Sequence, residues 1–96
     1  MLGNIRSTSR IRERGRARLK LRLPDWRSRF ELASGHSFLD ICEAYELAHI
    51  GLDFWGRSDT PISNAMIAEY QEAIAALELE AQALAARSNE VTEPLR

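Results

Sequence analysis

The chain has 96 residues, which allow one domain or one domain with a tail. A hydrophobic fraction of 45% with 28% charged residues is typical of a globular protein and excludes disorder of the whole chain. The single cysteine excludes an intrachain disulfide framework and a zinc site built from cysteines, and it favours a cytoplasmic location. No apolar run approaches the ~18 residues that cross a bilayer, so no membrane partner is expected.

The net charge of −1 conceals a strong segregation of charge along the chain. Residues 1–29 carry ten Arg or Lys against two acids, whereas residues 30–96 carry three Arg against twelve acids. The sequence therefore predicts a basic N-terminal arm on an acidic body.

Residues 1–23 are predicted to form this basic, largely disordered arm. Its first eighteen residues offer Ile5 and Ile11 as the main apolar anchors, too few to offset the entropy of ordering the backbone. The following residues, 18–23, alternate basic residues with leucine, a period of two that is typical of a strand. Pro24 would end the strand, and a partner strand would have to come from another chain.

Four interpretations of the arm remain open: a solvated charged tail, a contact with nucleic acid, a targeting segment, or docking onto the acidic body. Contact with nucleic acid would release counterions from the phosphates and would weaken with salt. No aromatic residue precedes Trp26, so stacking on bases is not indicated.

The stretch LKLRLP, followed by a short helical segment and Gly35-His36-Ser37 at the start of another helix, resembles the ribbon-helix-helix repressors. In that family the alternating strand pairs with its dimer mate and enters the major groove. The resemblance implies that Arg18, Lys20 and Arg22 would face the groove. A nucleic-acid-binding regulator that acts through residues 1–23 is accordingly the alternative function.

The rest of the chain predicts an all-α fold, with a helical domain over residues 24–87. A short helix after Pro24 is followed by a helix over about 38–55, whose apolar residues recur at three-four steps: Phe38, Ile41, Tyr45, Ala48, Leu52 and Trp55. Thr60 and Pro61 predict the start of the last helix, over about 61–87. Its seam has the same spacing: Ile67, Tyr70, Ile74, Leu77, Ala81 and Leu84. These seams predict an antiparallel helical hairpin with coiled-coil-like packing, followed by a frayed tail over 88–96.

A second apolar flank on the middle helix predicts an interaction surface. Leu47, Ile50 and Phe54 lie away from the seam, and a helix that is apolar on two sides needs two packing partners. A second copy of the chain would cover this flank, which predicts a homodimer. The short first helix of the domain could cover it in part instead. The last helix carries several glutamates and no lysine, so its acidic face lacks basic partners on the same helix. Glu69 and Glu72 are therefore predicted to bind a basic partner surface.

The candidate chemistry is sparse. Cys42 and His49 are seven residues apart, about 10.5 Å along a helix, which is too far for a thiolate–imidazole pair. Glu46 and His49 have the Glu-x-x-His spacing of di-iron carboxylate bundles, with Asp53 one turn further and Glu69 or Glu72 available from a partner helix. The favoured interpretation is that Glu46 and His49 are ordinary polar residues at the margin of the seam and bind no metal. No catalytic, cofactor-binding or metal-binding residue is predicted, and an enzyme is not expected.

Three stretches, SFLDICEAYELA, FWGRSD and AEYQEAIAALELE, are similar to a loose group of small proteobacterial helical-hairpin proteins of uncharacterised function. The similarity covers residues 37–80 and implies a hairpin in the bacterial cytosol, without an activity. The leading hypothesis is a small non-enzymatic protein of protein–protein interaction or regulation that acts as a homodimer.

Overall fold

The computed structural model describes residues 2–58 and 60–92, and the side chains of residues 8–58 and 60–87. Four α-helices, with one turn of 3₁₀-helix at Pro24–Trp26, make up the fold: α1 Leu2–Arg22, α2 Arg27–Leu32, α3 His36–Arg57 and α4 Ser63–Thr92. The described residues contain no strand, and the all-α class is confirmed.

The strand predicted for residues 18–23 is wrong, because α1 continues through this stretch to Arg22. Leucine, arginine and lysine are strong helix formers, and a helix satisfies its own backbone where a lone strand cannot. Leu19 is fully buried and Leu23 packs against the core, whereas Leu21 between them is 76% exposed. The leucines therefore follow a helical period of four, which the alternation concealed.

α1 packs against α3, so the expectation of a largely disordered arm is not confirmed. The contact is close at Gly15, where a Cβ atom would lie 1.9 Å from the backbone carbonyl oxygen of Cys42. No side chain larger than hydrogen fits there, which explains why glycine stands in the middle of a helix despite its poor helix propensity.

α2 returns the chain from the end of α1 to the start of α3, and α1 holds its C-terminal end. The Arg16 guanidinium donates hydrogen bonds to the carbonyl oxygens of Phe30, Glu31 and Ala33, the last at 2.9 Å. These carbonyls have no partner inside the short helix, and a cation also suits the negative end of the helix dipole. Arg16 further lies over the ring of Phe38, 5.6 Å from its centroid.

α4 packs along α3 and completes the core. Tyr70 lies against Gly51, and Glu78 accepts a hydrogen bond from Tyr45. The later residue of α4 therefore contacts the earlier residue of α3. The core combines residues from all four helices: Leu19, Phe30, Ala33, Phe38, Cys42, Tyr45, Ala48, Ile74, Ala81 and Ala85.

Both ends of α4 differ from the prediction. The helix begins at Ser63 rather than at Pro61, because the Ser63 hydroxyl and amide bond to Thr60 and hold the preceding residues in a turn. The predicted frayed tail is helical as far as Thr92, and residues 93–96 lie outside the described residues. Asp59, in the predicted turn before α4, also lies outside them.

Candidate interaction surface

The solvent-facing side of α3 carries three large apolar side chains that form one stripe. Leu47 and Ile50 are each 48% exposed and Phe54 is 61% exposed. Their spacing of three and four residues places them on one face of the helix. The opposite faces of α3 bury Cys42 and Tyr45 against α1 and α4. We call Leu47, Ile50 and Phe54 the apolar stripe.

The predicted acidic face of α4 is divided between solvent and the fold. Glu69 and Glu72 are exposed and form no ion pair with another described residue. Glu78, a further acid of α4, instead lies near the junction of three helices with a side chain 13% exposed. Its Oε2 accepts hydrogen bonds from Tyr45 at 2.6 Å and from Arg22 at 3.2 Å.

The three residues predicted to contact nucleic acid all form ion pairs with the rest of the chain. Arg18 Nε lies 2.5 Å from Glu46 Oε1, and the Glu46 side chain is only 4% exposed. Arg22 pairs with Glu78, and Lys20 pairs with Glu31. The hydrogen bond from Lys20 and its charge lower the pKa of Glu31 below its usual range. The basic side chains of this segment thus dock α1 onto the body.

Two basic residues of α1 lie on its outer face. Arg10 and Arg14 are exposed and form no ion pair within the part of the chain that the structure describes. Their spacing of four residues puts them side by side on the helix surface. Arg12 instead faces α3, where its guanidinium lies 3.3 Å from Asp40 and 3.5 Å from Glu43.

An open groove runs between α3 and α4, with Arg18 and Arg22 of α1 along it. It consists of two adjoining cavities of about 680 and 360 Å³ that share His49, Leu52 and Gln71. The His49 Nε2 atom is buried without a hydrogen-bond partner, and the His49 and Tyr45 rings lie edge to face with their centroids 4.7 Å apart. Burial lowers the pKa of His49, so the ring is neutral at pH 7.

The residues considered for metal binding or nucleophilic chemistry are engaged or inert. Glu46 is occupied by Arg18, and the described side chains include no group of three residues that could hold a metal ion. Cys42 is fully buried, and burial raises the pKa of its thiol to about 11. At neutral pH this sulfur is a protonated core group.

Sequence reasoning found the apolar stripe but missed the two charged residues that continue it. Glu43 precedes Leu47 by four residues, and Arg57 follows Phe54 by three, so both extend the same line along α3. The three-four spacing could have found them if it had been followed past the apolar residues.

Comparison with known protein families, with curated proteins and with solved structures gives no match for this chain. The resemblance of residues 37–80 to small proteobacterial helical-hairpin proteins therefore stays a prediction. Within residues 2–58 and 60–92, no helix combines the length and the apolar character that crossing a membrane requires.

Proposed function

We propose that the chain is a small, non-enzymatic helical protein that binds other proteins through the apolar stripe of α3. The exposure of Leu47, Ile50 and Phe54 on one helical face carries this proposal. Exposed apolar residues that stand singly are ordinary, whereas a contiguous group on one face is typical of an interaction surface.

The affinity of the stripe follows from the area that is still exposed. Full burial of a large apolar side chain contributes about 1.5–3 kcal/mol, and about half of each side chain is already covered. Covering the remainder contributes roughly 1 kcal/mol for each residue, which is set against the freedom that the two copies lose on association. A weak, reversible complex is therefore expected rather than an obligate one.

The partner favoured by this surface is a second copy of the chain, which would make the functional unit a homodimer. Glu69 and Glu72 add a place for basic side chains of a protein partner, because no basic residue of the described chain neutralises them. A cytoplasmic setting is part of the proposal, supported by the single cysteine of the chain, which excludes an intrachain disulfide framework.

A matched pair of variants tests the proposal. Ile50→Asp places a charge in the middle of the apolar stripe, whereas Leu79→Asp places one on α4 at a side chain that is 69% exposed. Light scattering coupled to size-exclusion chromatography would follow the mass over a range of concentrations. We expect the unchanged chain and Leu79→Asp to exceed the monomer mass of 10.9 kDa at high concentration, and Ile50→Asp to stay at it.

Two results would contradict this function. If the chain stays monomeric at millimolar concentration, the apolar stripe is not a dimer surface. Equal losses of mass in both variants would show that any added acid disrupts association, so that the stripe has no special part in it.

The alternative function, a regulator that binds nucleic acid, is supported by the exposed pair Arg10 and Arg14 on the outer face of α1. Its test is binding of duplex DNA and of single-stranded RNA at low salt by the unchanged chain and by Arg10→Gln/Arg14→Gln. Binding that weakens steeply with salt and is reduced in the double variant would favour it. Absence of binding at low salt would end it.

A further inference from the structure

The apolar stripe is the centre of a longer line of residues that is charged at both ends. Along α3 the line reads Glu43, Leu47, Ile50, Phe54 and Arg57, with steps of four, three, four and three residues. The steps keep all five side chains on one helical face. An acid therefore stands at the N-terminal end of the line and a base at its C-terminal end. We call these five residues the extended stripe.

This polarity distinguishes the two ways in which two copies of α3 could pair. In an antiparallel pair, each Glu43 would meet the Arg57 of the other copy at both ends of the stripe. A parallel pair would place Glu43 beside Glu43 and Arg57 beside Arg57. Opposite charges that flank an apolar seam set the orientation of paired helices, and like charges oppose it.

We propose, resting on the function proposed above, that two copies of the chain pair antiparallel through the extended stripe, with Ile50 at the two-fold axis. Ile50 then packs against its own copy, and Leu47 packs against Phe54 on each side. Such a contact is self-complementary, as a two-fold interface must be.

The charged ends are free to take part in this contact. Arg57 pairs with Asp53 one turn earlier in α3, and both side chains are largely exposed, at 79% and 61%. Glu43 lies 3.5 Å from Arg12, which keeps a second partner in Asp40. The Arg57–Asp53 pair is exposed and the Arg12–Glu43 pair is partly exposed, and ion pairs in contact with solvent are weak. Glu43 and Arg57 can therefore exchange partners at little cost.

Cysteine cross-linking tests the register, because the buried Cys42 leaves no reactive thiol in the unchanged chain. With Ile50 at the two-fold axis, the two Ile50 positions lie level along the helix axes, and the two Phe54 positions lie about 12 Å apart. A disulfide needs Cα atoms about 4.4–6.8 Å apart. We expect Ile50→Cys to cross-link to itself under mild oxidation and Phe54→Cys to do so no faster than the collision control Leu79→Cys.

A mixture of Leu47→Cys with an affinity-tagged Phe54→Cys tests the antiparallel register by a cross-link that should form. These positions face each other only in the antiparallel pair, so the mixture should give a covalent heterodimer that neither variant gives alone. Self-cross-linking of Phe54→Cys as fast as that of Ile50→Cys would show a parallel pair. That result would overturn the register and leave the proposed function standing.

Charge reversal tests the same contact without cysteine. Glu43→Arg and Arg57→Glu should each raise the dimer dissociation constant about tenfold, since each introduces two like-charge contacts per dimer. The double variant restores both contacts with reversed sign and should return the constant to within about threefold of the original. Circular dichroism checks that each variant keeps its helix content.

The outcomes separate the two proposals. If the double variant is no better than the single variants, the charge pairing is wrong although the dimer stands. If no variant cross-links faster than Leu79→Cys and the unchanged chain stays monomeric, both the pairing and the homodimer are overturned.

Discussion

Gly15→Ala should destabilise the protein although alanine is the better helix former. Its Cβ would lie 1.9 Å from the carbonyl oxygen of Cys42 and 2.7 Å from the carbonyl carbon, and real Cβ contacts do not fall below 3.0 Å. Both of these atoms belong to backbone inside α3, so no side chain can move aside. The two helices must separate by about 1 Å, which loosens the packing of Leu19.

The size of the effect follows from two opposing terms. Overpacking of this kind costs about 1–3 kcal/mol, and the lost fit of Leu19 and of the Arg18–Glu46 pair adds to it. The helix propensity of alanine returns about 0.5–1 kcal/mol. A net loss of about 2 kcal/mol is expected, which corresponds to a fall in Tm of about 10 °C for a chain of this length.

Gly56→Ala is the matched control, because a Cβ at this position in α3 meets nothing within 4 Å. It should raise the stability by about 0.5 kcal/mol from helix propensity alone. Urea unfolding followed by circular dichroism, at one low protein concentration, compares the two variants. Equal stabilisation by both substitutions would refute the docking of α1 against the backbone of Cys42.

Three further predictions concern buried groups. Arg18→Met should cost about 2–3 kcal/mol in urea unfolding, because it leaves the buried Glu46 carboxylate unpaired; a loss no larger than that of Lys20→Met, which breaks an exposed pair, would contradict this. His49 binds its proton less readily in the folded state, so the free energy of unfolding should fall as the pH drops below about 6.5. His49→Gln should flatten that fall between pH 5 and 7, and an unchanged profile would show that the burial of His49 is not its source. The thiol of Cys42 should react with a disulfide reagent at pH 8 only when the chain unfolds, and rapid reaction of the native protein would show that the core opens there.

The segregation of charge along the sequence is explained by contacts inside one chain. Within the described residues, basic side chains of α1 pair with acids of α2, α3 and α4, as in Lys20–Glu31, Arg18–Glu46 and Arg22–Glu78. Of the four interpretations of the basic segment, docking onto the acidic body agrees with this arrangement. The paired acids are 11 to 56 residues away along the chain, so no local pattern could have identified them.

The parts of the fold that the sequence predicts are those with a long, regular period. The seams of α3 and α4 repeat every three to four residues, from Phe38 to Trp55 and from Ile67 to Leu84, which is sufficient to identify the all-α class. The exposed flank of α3 was visible for the same reason. The segment of residues 18–23 was too short for this, since six residues of alternating leucine fit a strand as well as a helix. Gly15 stands four residues before Leu19 and extends the period of four that Leu19 and Leu23 share, which favours the helix. Its role depends on the approach of the Cys42 backbone, which the sequence does not reveal.

The most direct test of the apolar stripe uses the three phenylalanines of the chain as fluorine labels. Incorporation of 4-fluorophenylalanine gives one signal each for Phe30 and Phe38, which are 0% and 2% exposed, and one for Phe54, which is 61% exposed. When the protein is concentrated, the Phe54 signal alone should shift and lose its sensitivity to exchange of H₂O for D₂O, because a second copy covers this ring. A Phe54 signal that stays constant and solvent-sensitive up to millimolar concentration would contradict the account.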